Sequence, residues 1–106
     1  MKLGIISEDV RLCHQLAIMS YDNDYKIHFI DQFDDVSKGL DCVVVDIDED
    51  HAIQKCKDYS SKCMVIGAVA EPRKSIILNA KKAGCLIVLT KVNFSSNLLD
   101  ILKKQI

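Results

Sequence analysis

Cys42-Val43-Val44-Val45-Asp46-Ile47-Asp48-Glu49-Asp50 is the stretch that decides the fold class. Four apolar residues, three of them β-branched, run on without a polar break. A strand wet on one face would alternate, so this run predicts a strand buried on both faces, as in the middle of a parallel sheet. It stops at Asp46. The acids Asp48, Glu49 and Asp50 then suit a helix start through the macrodipole, and Ala52, Ile53, Cys56 and Tyr59 continue at helical spacing.

The same strand-then-helix unit repeats on both sides. Upstream, Leu3-Gly4-Ile5-Ile6 is a short apolar run followed by Ser7-Glu8-Asp9. Ser7 or Asp9 can cap a helix whose apolar stripe reads Val10, Cys13, Leu16, Ala17 and Met19. Tyr21 to Asp24 reads as a turn, and Lys26 to Ile30 alternates like an edge strand. Phe33, Val36 and Leu40 suggest a short helix ending near Gly39. Downstream, Cys63-Met64-Val65-Ile66 opens a buried strand running to about Ala70. Pro72 suits the first turn of the next helix, with Ile76, Ile77, Ala80 and Ala83 inward, Lys81 and Lys82 in its last turn and Gly84 as its stop. Cys85 to Leu89 is a fifth strand. A last helix, capped by Ser95 or Ser96, carries Leu98, Leu99, Ile101, Leu102 and Ile106. The sum is a single (βα)5 domain over residues 1–106, an α/β fold with a doubly wound parallel sheet and helices on both faces.

Composition agrees. At 106 residues with 49% hydrophobic residues, one Pro and four Gly, the chain fills one domain and leaves no long linker. No apolar run approaches a membrane span and no leader is evident, so the expected setting is soluble and cytoplasmic, without membrane contact. The five cysteines include no CxxC pair, and Cys42, Cys63 and Cys85 open apolar runs, which suits small buried hydrophobes. Residues 1–50 carry 12 acids against 4 bases, while residues 51–106 carry 3 acids against 10 bases. The basic half lacks interleaved aromatics and holds one Arg, so nucleic-acid binding is not expected of it.

In open parallel sheets ligands sit beyond the carboxyl ends of the strands. Those ends bear Ser7-Glu8-Asp9, Asp46 with Asp48, Val69-Ala70 and Thr90-Lys91. Carboxylates from two strands would meet a lysine from a third, a set suited to Mg²⁺ and a phosphoryl group. Helix-capping acids and a solvated lysine are the alternative reading of the same residues.

Order, spacing and residue type over the whole chain resemble the CheY-like receiver domains of two-component response regulators. The resemblance implies strand order 2-1-3-4-5, Asp46 as phosphoacceptor, and Lys91 as the lysine that pairs with the phosphoryl group. It implies Mg²⁺ held by Glu8, Asp46 and the backbone carbonyl of Asp48, with Asp9 as a further candidate. Ala83-Gly84 before strand five fits as well. The departures are equally specific. The hydroxyl residue of strand four falls on Val69, or on Ala68 with a one-residue slip, the switching aromatic of strand five on Val88, and the proline after the lysine on Val92. One of the two acids after strand one is Ser7.

With Val69 and Val88 there is no side chain to follow a phosphate, so phosphorylation would favour neither of two states. The reading is therefore an atypical, pseudo-receiver module, not an enzyme, that works through protein–protein contacts. The partner surface, for another protein or a second copy, is the face of the helix before strand five, strand five and the last helix, with Arg73, Lys74, Lys81, Lys82, Lys103 and Lys104. Such domains resemble the N-terminal segments of pilus-assembly and localisation ATPases of the TadZ/CpaE type. The alternative is a Mg²⁺-dependent phosphoacceptor served by a histidine kinase. A flavodoxin-like cofactor enzyme is disfavoured: Ser7-Glu8-Asp9-Val10 would repel a phosphate, and His14, His28 and His51 lack ligand spacing.

Overall fold

The computed structural model describes residues 1–30 and 39–105. Its strands are β1 (Lys2–Ile6), β2 (Lys26–Phe29), β3 (Cys42–Asp46), β4 (Met64–Val69) and β5 (Ile87–Thr90). Its helices are α1 (Val10–Asp22), α2 (Ala52–Ser60), α3 (Lys74–Lys82) and α4 (Phe94–Gln105). The strands form one parallel sheet in the order β2-β1-β3-β4-β5. The short helix expected around Phe33 and Val36 lies outside the described residues.

Every residue of β3 is buried, as its unbroken apolar run requires of a strand covered on both faces. Alternation divides its side chains. Cys42 and Val44 face a core shared with Leu12, Leu16, Phe94, Leu98 and Leu102 of α1 and α4. Val43 and Val45 face the opposite core, with Ala52, Cys56, Ala80 and Cys85. The cysteines are all free thiols, three of them buried, and burial pushes the Cys42 thiol up to about 12. Cys56 and Cys85 pack with sulfur atoms 4.0 Å apart.

Several local expectations change. Asp9 caps α1, accepting from the N–H groups of Arg11 and Leu12 at 3.0 and 3.3 Å. The buried stripe of that helix is Leu12, Leu16, Met19 and Ser20. Val10 is 80% exposed, because it opens the helix at the strand-end rim, above the sheet. Tyr21 and Asp22 close α1 instead of forming the turn, which falls on Asn23 and Asp24.

The acids 48–50 form a turn, and α2 starts only at Ala52 behind a left-handed His51. Pro72 precedes α3, whose N-cap is Arg73. In β5 the strand begins at Ile87, two residues after Cys85, since Gly84 at φ +109° first has to turn the chain. Helix α4 starts at Phe94, so Ser95 and Ser96 lie inside it. The Ser95 N–H instead donates to Gln15 Oε1 of α1 at 3.5 Å. Phe94 itself is fully buried.

Candidate functional site at the carboxyl edge of the sheet

Sheet register assembles the site. Ile6 pairs with Val45, Asp46 with Ala68, and Val69 with Thr90, so the strand ends stop level with one another. Ser7, Asp46 and Lys91 each lie at or one residue beyond such an end. The backbone N–H of Lys91 donates to the Val69 carbonyl at 2.9 Å. This bond continues the β4–β5 ladder and fixes where the lysine leaves the sheet.

Lys91 Nζ then reaches three carboxylates: Asp46 Oδ2 at 2.9 Å, Asp9 Oδ2 at 3.0 Å and Asp48 Oδ2 at 3.1 Å. An ammonium group has three N–H donors, and here there is one acid for each. Burial pulls the Lys91 pKa down, but its hydrogen bonds to Asp46, Asp9 and Asp48 outweigh that and hold it above the ordinary lysine value. The Lys91 ammonium and the Leu12 N–H hold the Asp9 carboxyl below its ordinary value.

Asp46 is only 2% exposed. Its Oδ2 also accepts from the Ser7 hydroxyl at 2.6 Å, and its Oδ1 accepts from the Asp48 N–H at 3.1 Å. Both oxygens of this buried carboxylate are therefore engaged, as burial of a charge demands. Asp48 contributes through its carboxylate, which also accepts from the Ala70 N–H at 2.9 Å. That attachment ties the turn after β3 to the end of β4, and is why acids 48–50 do not open α2.

Glu8 stands apart. Its carboxylate takes no part in the cluster, while its backbone N–H donates to Glu49 Oε2 at 2.5 Å. Val69 is buried, and Val88 is half-buried opposite Gly67, against the core beneath α2 and α3. Arg73, Lys74, Lys81, Lys82, Lys103 and Lys104 are all exposed, and Arg73 pairs with Glu71 at 3.1 Å.

The residues do not fit Mg²⁺ as they stand. The three carboxylates converge on an ammonium nitrogen at 2.9–3.1 Å, so their inward oxygens already serve a cation supplied by the chain. Among the described residues, no group of three or more His, Cys, Asp or Glu side chains is placed to hold a metal.

Two participants escape sequence reasoning. Ser7 stands at the end of β1, where it donates to Asp46. Gln15 of α1 donates to the Lys91 carbonyl at 3.3 Å while accepting from Ser95. The Ser7 contact could have been sought from its place at a strand end, whereas nothing local marks Gln15, whose partner lies 76 positions away.

No family model and no curated protein matches the chain in sequence. Solved structures do match its fold. A CheY-like response-regulator receiver domain protein from Methanospirillum hungatei is similar at a TM-score of 0.83 and 11% identity, over 98% of this chain and 91% of that one. The beryllofluoride-activated DrrB receiver domain is similar at 0.83 and 15% identity, over 97% and 94%. A putative pilus assembly protein, CpaE, from Burkholderia thailandensis is similar at 0.78 and 19% identity, over 98% and 96%. The chain thus has the CheY-like receiver fold, an α/β flavodoxin-like architecture. No helix among the described residues is long and apolar enough to cross a membrane.

Proposed function

We propose that this domain is an atypical receiver-like signalling module that works by protein–protein contact and does not use Asp46 as a routine phosphoacceptor. The observation that carries this reading is the state of Asp46: 2% exposed, with the Ser7 hydroxyl, the Lys91 ammonium and the Asp48 N–H on its two oxygens. A nucleophilic carboxylate oxygen must be reachable by its phosphoryl donor, whereas three donors leave Asp46 a spare lone pair only on Oδ1, within a side chain shut off from solvent. Val69 supports the reading further, since it offers no hydroxyl to follow a phosphoryl group. No catalytic role is assigned to any residue.

The contact surface we assign is the edge strand β5 with its flanking helices. These elements carry exposed Lys81, Lys82, Lys103 and Lys104 together with the exposed apolar side chains Leu78 and Leu86, which suits an acidic protein or an acidic surface of a second copy. Reversing Lys81 and Lys82 to Glu should leave stability within about 0.5 kcal/mol and abolish the contact. A self-association measured by sedimentation that persists in this variant would move the contact elsewhere.

The Asp46–Lys91 pair at 2.9 Å favours a second reading, a phosphoacceptor served by a histidine kinase and Mg²⁺. Adding beryllofluoride with Mg²⁺ and following backbone amides by NMR separates the two. The proposed function predicts no saturable shifts around Asp46. Shifts that saturate and vanish in Asp46→Ala would establish the second reading.

A further inference from the structure

The ammonium of Lys91 sits where a cation is most needed, and it is saturated. Three N–H donors meet three carboxylates from two chain segments, the turn after β1 and the end of β3 with the turn that follows it, at 2.9, 3.0 and 3.1 Å. The other donors to those acids also come from the protein. Asp9 accepts from the N–H groups of Arg11 and Leu12 at the start of α1, Asp46 from Ser7 and Asp48, and Asp48 from Ala70. Nothing in this arrangement requires a cation from solution to hold the acids together.

We infer that Lys91 is the resident cation of this edge: an ammonium tethered to the end of β5 that neutralises Asp9, Asp46 and Asp48 together and makes the site independent of metal. The inference deepens the function proposed above and concerns the same residues. Its physical basis is competition for one place. A divalent ion drawn to Asp9, Asp46 and Asp48 would have to expel a positive group already hydrogen-bonded to all three. Two cations a few ångströms apart in a partly buried site repel strongly. The lysine also avoids the translational cost of capturing a free ion, because it is part of the chain and Val69 fixes its backbone at the strand end, leaving only side-chain rotamer entropy to be lost. Removing the charge while keeping the apolar stem should therefore convert the cluster into a divalent-cation site.

The test uses Mn²⁺ as the probe, read by paramagnetic broadening of backbone amides, on the wild-type chain and on Lys91→Met. The wild type is expected to show no saturable broadening at Ser7, Asp46 or Asp48. Lys91→Met is expected to show it, with an affinity gain of at least about tenfold, and to unfold at higher temperature when Mn²⁺ is present. A variant that folds only with Mn²⁺ also supports the inference. Saturable broadening of those amides in the wild type overturns it, whatever the variant does, and so does a folded Lys91→Met that gains nothing. The two proposals fail separately. Mn²⁺ binding by the wild type without phosphoryl uptake sinks this one alone. Phosphoryl uptake at Asp46 in the presence of a chelator sinks the proposed function alone.

Discussion

Lys91 Nζ lies 2.9 Å from Asp46 Oδ2, although the two residues belong to strands that never touch, β5 and β3, with β4 between them. The long lysine side chain spans that strand from a backbone held at the Val69 carbonyl, and the three carboxylates hold its far end. Sheet register brings the pair together, and burial makes it matter.

Removing the cation should cost more than removing one anion. Lys91→Met leaves Asp46 buried with two uncharged donors and faces it with Asp9 and Asp48, so a loss of about 3–5 kcal/mol is expected, as for a broken buried pair. Asp46→Asn leaves Lys91 two carboxylates, and a loss of about 1–3 kcal/mol is expected. Urea unfolding of both variants measures the difference. Equal losses would mean that Lys91 acts through Asp46 alone and not through the three acids together.

The cluster also sets a pH window. Lys91 in the folded chain titrates above its ordinary value of 10.5. Its contribution is therefore fully present below that value and lost as pH rises through the folded pKa. Asp9 titrates below its ordinary 3.8, so its contribution holds above 3.8 and is lost as pH falls through the lower folded pKa. The stability gap between wild type and Lys91→Met should stay level from neutral pH to about pH 10 and close above it. A gap that already closes near pH 8 would show that the ammonium is not held by these carboxylates.

Gly84 makes a prediction about the fold rather than the site. Its φ of +109° disfavours any L side chain, and an added Cβ would collide with Ser60 at the end of α2. Gly84→Ala should destabilise by more than about 1 kcal/mol. Adding Ser60→Gly should recover the steric part of that loss and leave the backbone part. Thermal unfolding of the single and double variants measures both, and full recovery in the double variant would place the whole cost in the collision.

Much of this was legible in the sequence for a physical reason. Cys42 to Val45 could only be a strand covered on both faces, and the alternation of such runs with helical stripes implied the parallel sheet that is found. Asp9, Asp46, Asp48 and Lys91 could be placed at strand ends, because a parallel sheet aligns those ends. What was not legible depended on contacts across the chain. Whether Asp48 would extend a helix or reach a lysine 43 positions on is settled by the Ala70 N–H, which local pattern does not contain. The start of α4 was read two or three residues late, because the Ser95 N–H in its first turn is served by Gln15 of α1 and not by a serine cap. The stripe of α1 was misphased, because Val10 and Leu12 both fit a helical repeat and only the position of the sheet below separates them.

The most direct test is to incubate the wild-type chain with acetyl phosphate and Mg²⁺ and measure its intact mass, with Asp46→Ala alongside. An Asp46 held by Ser7, Lys91 and Asp48 predicts an unchanged mass in both. A gain of one phosphoryl group in the wild type that is absent from Asp46→Ala would contradict the account.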